Sequence, residues 1–153
     1  MIGARIEVLH GVNLDMLGKR DPEHYGTLTL IELEVRIRHW ARELGMETIF
    51  FQTNSEGEFV ERLHQAPQNA DALVLNPGSW THYSWAIRDA LEIAGLPTIE
   101  VHLSDVESRD QWRRVSVLDG LVLAKVSGKG ADGYQDALAR LAAELGVEPP
   151  PAA

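Results

Sequence analysis

Tyr25 lies five residues after Arg20 in a stretch without clean periodicity, and this pair can do proton-transfer chemistry. A phenol keeps its proton at neutral pH unless a nearby cation favours the phenolate, which then serves as a base. The plainer alternative is a tyrosine packing its loop onto the domain beside a solvated arginine, and spacing alone favours that. His102 closes the apolar run Thr98–His102, with Glu100 two residues earlier on the same side of the pleat. A satisfied core histidine and a functional one both fit. The amides of Leu103 and Ser104 follow it, and such turns can bind a carboxylate. Asn76-Pro77-Gly78 ends another apolar run, either as a simple turn or with Asn76 bonded to a ligand.

Other chemistries lack their residues. There is no cysteine, which removes disulfides, thiolate nucleophiles and thiolate metal sites. A P-loop needs a Gly-rich run ending in Gly-Lys-Ser/Thr, and neither it nor the dinucleotide fingerprint is present. The first and third strand ends carry His10 and Asn76 where a phospho-receiver would need acids. Ser79 is outside a Gly-x-Ser-x-Gly elbow and is given no nucleophile role. His82 and His102 come from different loops, too weak a pattern for a metal site, and none is expected. His24, His39 and His64 read as loop or helix-surface residues. Acid–base chemistry without a cofactor remains.

These residues must be brought together by the elements between them. Five strand-like runs are expected at residues 6–9, 48–52, 72–75, Thr98–His102 and 121–126. Helical spacing joins Leu30, Leu33, Ile37, Trp40, Ala41 and Leu44, with Thr29 and Glu32 as a capping box and Gly45 as the stop. Ser55 and Glu58 repeat the capping pattern for a helix that carries Phe59 and Leu63 and should end before Pro67. Further helices are expected over residues 84–94, briefly after Ser108, and over Asp132–Leu145. The stretch from His10 to Leu28 reads as a long irregular loop, usually a functional feature when ordered. Alternating strands and helices imply a parallel sheet covered on both faces. The expected fold is a flavodoxin-like three-layer α/β sandwich with a five-stranded parallel sheet in the order 2-1-3-4-5. Its ligand crevice then lies where the first and third strands end, at His10 to Asn13 and Asn76 to Gly78.

With 153 residues and 44% hydrophobic content, one domain over residues 1–147 is expected, followed by a disordered Pro- and Ala-rich tail at 148–153. A net charge of −9 argues against nonspecific nucleic-acid binding, although basic clusters at residues 18–20 and 109–114 could hold a small anion. No signal-peptide h-region or membrane-length apolar run is present, so a cytoplasmic protein is expected.

The segment from His10 through Asn13, Asp15, Arg20 and Tyr25 to Gly26 resembles the N-terminal signature of type II 3-dehydroquinate dehydratases. Asn76 to His82, Ile87-Arg88-Asp89-Ala90, Glu100 to Ser104, Arg109 and Arg113 to Ser116 resemble its later blocks in register, so the likeness spans nearly the whole chain. It implies dehydration of 3-dehydroquinate to 3-dehydroshikimate in the shikimate pathway, without metal or cofactor. Tyr25 would take a proton from the carbon beside the ketone while Arg20 keeps that base ionised. Asn13 would hold the enolate through a water, and His102, supported by Glu100, would protonate the departing hydroxyl. Asn76, His82, Leu103, Ser104 and Arg113 would bind substrate, and Asp89 would reach the site of a neighbouring subunit. Trimers packed into a dodecamer are implied as well. His10, Val12 and Asp15 replace the usual Asn, Pro and Asn of the first block, Val115 replaces a His, and Trp80 and Trp85 are unusually bulky. These departures leave room for a non-catalytic binding homologue or for a related cyclohexane carboxylate as substrate.

Overall fold

Residues 72–76 read Ala-Leu-Val-Leu-Asn, and all five are buried, as a strand covered on both faces requires. In the computed structural model, which describes residues 3–152, this strand is β3 at the centre of a five-stranded sheet. The strands are β1 (Arg5–His10), β2 (Glu47–Gln52), β3 (Ala72–Asn76), β4 (Thr98–His102) and β5 (Ala124–Ser127). All pairings are parallel, in the order β2-β1-β3-β4-β5, as the sequence implied. The helices are α1 (Pro22–Tyr25), α2 (Leu30–Glu43), α3 (Glu56–Asn69), α4 (Trp85–Ala94) and α5 (Asp132–Leu145).

Period-two alternation sends successive strand residues to opposite layers. Ile6, Val8, Val74, Ile99 and Val101 meet Leu33, Ile37 and Ala41 of α2 and Tyr134, Ala137, Leu138 and Leu141 of α5. Leu9, Leu73 and Leu75 meet Phe59, Leu63 and Ala66 of α3 and Ile87, Ala90 and Leu91 of α4. Two separate apolar layers therefore clamp the sheet. Among the described residues, no helix is long and apolar enough to cross a membrane.

The Thr29–Glu32 capping box forms in full, each partner bonding the other's backbone N–H. The second is only half made. Ser55 accepts from the Glu58 N–H, but the Glu58 carboxylate takes the Thr53 hydroxyl at 2.6 Å instead of reaching back. Three other expectations are corrected. Helix α3 runs through Pro67 to Asn69, because a proline in the last turn forfeits one helical bond while the adjacent Ala66 remains anchored in the core. Strand β5 begins at Ala124, since Leu121 and Val122 bond back to the Leu118 carbonyl in a turn. The short helix after Ser108 is replaced by two 3-10 turns, Val106–Ser108 and Gln111–Arg114. The long loop also acquires structure: a 3-10 turn at Leu14–Met16 and then α1, capped by the Asp21 carboxylate.

The strand ends that form the crevice touch at the backbone. A Cβ on Gly11 would collide with the Pro77 carbonyl. Gly78 takes φ +68°, and a Cβ there would lie 2.5 Å from the Val12 oxygen. Only glycine allows both the approach and the turn.

Candidate active site

A cavity of about 160 Å³ opens over the carboxyl ends of β1, β3 and β4. It is lined by Arg20 and Tyr25 of the long loop, by Asn76, His82 and His102 at and after the ends of β3 and β4, and by Ser104, Arg109 and Arg113. This is where a 2-1-3-4-5 sheet places its ligands.

On the loop side, the Arg20 guanidinium sits 3.6 Å from the centre of the Tyr25 ring. A second guanidinium reaches the phenolic oxygen. Arg109 Nη1 donates to it at 2.6 Å and also reaches the Ser104 hydroxyl at 3.3 Å. Tyr25 is thus held by two cations, one on its face and one on its oxygen. Burial pulls the Arg20 pKa down, Tyr25 raises it, and the nearby Arg109 and Arg113 lower it further. Three guanidiniums so close together make a site for anions. Arg113 stacks 4.2 Å over Trp112, and its buried Nε has no partner among the described residues, leaving a donor for a ligand.

At the end of β4, the His102 Nε2–H donates to Glu100 Oε2 at 2.5 Å. Glu100 is fully buried and also accepts from the hydroxyls of Thr81 at 2.5 Å and Ser116 at 2.8 Å. Burial pushes its carboxyl up, but the bonds from His102, Thr81 and Ser116 outweigh this and hold it below its ordinary value. A buried carboxylate so placed fixes the imidazole's orientation, leaving Nδ1 for a ligand. His82 donates through Nδ1 to the Val115 carbonyl at 2.6 Å and stacks on His102 with ring centres 6.4 Å apart. Burial lowers the His82 pKa, with His102 and Arg113 adding to the effect.

Leu103 and Ser104 follow His102 along the cavity wall. Their carbonyls accept from Gly130 and Gly128 at 3.2 and 3.0 Å. In a trans peptide the N–H opposes the preceding carbonyl, so the Ser104 N–H points away from that loop. Asn13 is the one non-glycine residue with positive φ (69°) among those described, a conformation asparagine tolerates. Its N–H donates to Asn54 Oδ1 at 2.8 Å, and Asn54 Nδ2 donates to Asp15 at 3.1 Å.

Most of the expected residues therefore meet in one cavity: Asn13, Arg20, Tyr25, Asn76, His82, His102, Leu103, Ser104 and Arg113, with Glu100 behind His102. Asp89 does not; it lies exposed on α4, outside the cavity. Sequence reasoning assigned no role to Arg109 at the Tyr25 oxygen, to the hydroxyls of Thr81 and Ser116, or to Asn54. Arg109 had a signal in its basic cluster, Ser116 in the block it shares with Arg113, and Asn54 in its place at a strand end.

A histidine at the crevice end of β1 would ordinarily titrate near neutral pH. Instead His10 is 1% exposed and bonded to the Tyr134 hydroxyl, and burial lowers its pKa from 6.5 to about 4. The unfolded chain takes up the proton first, so stability is intact above pH 6.5 and is lost as pH falls from 6.5 toward 4. The contribution lost is about 3 kcal/mol. Urea denaturation should show this as excess acid sensitivity over a His10→Gln variant, with the two curves parallel above pH 7.

The family model described as Dehydroquinase class II matches residues 4–142. The 3-dehydroquinate dehydratase of Syntrophotalea carbinolica is 52% identical over 131 residues, covering 85% of this chain and 88% of the relative. That of Pelobacter propionicus is 50% identical over 135 residues, covering 88% and 91%. Among solved structures, the type II dehydroquinase of Propionibacterium acnes superposes with a TM-score of 0.88 at 40% identity, covering 93% of this chain and 98% of that one.

Proposed function

The chain belongs to the class II dehydroquinase family, and from that premise we propose that it converts 3-dehydroquinate to 3-dehydroshikimate by anti elimination of water. The observation that supports this reading is the meeting of two proton-handling groups in one cavity with three guanidiniums. Tyr25, under Arg20 and Arg109, lines it together with His102, which is backed by Glu100.

The Tyr25 phenolate takes a proton from the carbon next to the ketone, and the electron pair moves onto the ketone oxygen as an enolate. Asn13, fixed by Asn54, holds a water against that oxygen. The enolate then reforms the ketone, making the ring double bond and breaking the carbon–oxygen bond to the tertiary hydroxyl. His102, as an imidazolium stabilised by Glu100, gives its Nδ1 proton to the leaving oxygen, and water departs. Returning Tyr25 and His102 to their starting states needs one net proton transfer through solvent. The substrate carboxylate and hydroxyls are held by the Ser104 and Leu103 amides, Asn76, His82 and the free Nε of Arg113. The Arg20–Tyr25 segment acts as a lid, since closing it over the ring also brings the base into place.

Oligomerisation belongs to the same proposal. Trp85 and Ile93, 65% and 72% exposed, flank Asp89 on α4, with Tyr83 nearby, an apolar face suited to a second subunit. Trimers within a dodecamer, with Asp89 directed toward the neighbour's cavity, fit that face. A cytoplasmic role in the shikimate pathway is part of the same proposal.

The test is one assay. Purified protein treated with a chelator and mixed with 3-dehydroquinate should produce the near-ultraviolet absorbance of the conjugated enone, with no metal or nucleotide added. Tight binding of a quinate-like acid without product would instead favour a binding homologue and overturn the catalytic reading.

A further inference from the structure

Under the cavity floor, three hydrogen-bonding side chains from three elements form a chain. His10 Nε2 at the end of β1 lies 2.8 Å from the Tyr134 hydroxyl of α5, and Asn76 Nδ2 at the end of β3 lies 3.3 Å from the same oxygen. All three residues are buried, Tyr134 completely, and of the three only Asn76 lines the cavity.

The direction of the bonds follows from what each group can donate. The Gly78 N–H donates to Asn76 Oδ1 at 3.2 Å, so the carboxamide turns its NH₂ toward Tyr134. That NH₂ can only donate, so the phenolic oxygen accepts there and its own O–H must find another acceptor. His10 Nε2 is the acceptor in reach, which requires a neutral imidazole carrying its proton on Nδ1. Burial keeps it neutral, with the pKa lowered to about 4. Burial likewise pushes the Tyr134 phenol well above its ordinary value, so its proton stays available to donate.

Resting on the reading of the cavity given above, we propose that His10 is a positioning residue for substrate binding. It fixes the Tyr134 hydroxyl, which fixes the Asn76 carboxamide, whose second N–H is then presented to an acceptor oxygen on the substrate ring. An asparagine at position 10, which the resemblance would lead one to expect, ends short of where Nε2 sits. This chain therefore reaches Tyr134 directly with an imidazole.

His10→Leu and Tyr134→Phe should each raise KM about tenfold while kcat stays within about threefold, because each frees Asn76 without touching the reacting atoms. The double variant should be no worse than either single one, since both cut the same chain. His10→Gln, whose side-chain oxygen can accept where Nε2 does, should restore KM. A merely structural role would lower thermal stability and leave KM unmoved, and that result would overturn the proposal. Nitrogen-15 NMR of the imidazole gives a readout independent of turnover. The wild-type protein should show neutral His10 protonated at Nδ1, with the Nε2 resonance shifting in Tyr134→Phe. A protonated Nε2 also overturns the proposal. If 3-dehydroquinate is not turned over but the tautomer and the shift are as stated, the substrate reading fails and the positioning chain stands.

Discussion

Tyr25→Phe is expected to lower kcat by about 10²- to 10⁴-fold, the usual worth of a positioned general base, while KM moves only a few-fold. Phenylalanine keeps the ring that lies under the Arg20 guanidinium, so the lid retains its packing. It removes one oxygen, the atom to which Arg109 donates at 2.6 Å. The guanidiniums grouped with Tyr25, those of Arg20, Arg109 and Arg113, are cations and offer no substitute base. The loss should therefore fall on the chemical step. Steady-state kinetics check this directly, and exchange of the substrate's α-hydrogen with deuterated solvent isolates the step. Wild-type exchange in the variant, or an unchanged kcat, would remove Tyr25 from the reaction.

Much of this arrangement was legible before any coordinates. A phenol five residues from a guanidinium and an imidazole ending a strand are local patterns, and the strand order that unites them follows from alternating elements with short links. What was illegible depends on tertiary placement. Arg109 is 84 residues from Tyr25 and sits just after a 3-10 turn, where no periodicity points a side chain anywhere. Thr81 and Ser116 look like ordinary hydroxyls until the sheet puts them beside Glu100. His10 carries the opposite lesson. Its type suggested a titrating group, yet burial against Tyr134 makes it a fixed acceptor. The misplaced start of β5 has a similar origin: an apolar run from Leu121 reads as strand, although its first residues serve a turn that packs on α3 and α4.

The proton donor should leave a different signature. His102→Ala is expected to lower kcat by about 10²- to 10⁴-fold and, unlike Tyr25→Phe, to destabilise the fold by about 3–5 kcal/mol. The second effect arises because Glu100 is fully buried and loses the imidazole that most lowers its pKa. Thr81 and Ser116 remain bonded to the carboxylate, but two hydroxyls cannot replace the lost imidazole N–H at 2.5 Å. Denaturant unfolding followed beside the kinetics separates the two consequences. Adding Glu100→Gln to His102→Ala should recover much of the stability and none of the rate, because it removes the stranded charge without supplying a proton. Free imidazole, diffusing into the space left by the side chain, should return part of the rate to His102→Ala and none to Tyr25→Phe. Equal response of both variants to imidazole would mean that His102 is not the group that protonates the leaving oxygen.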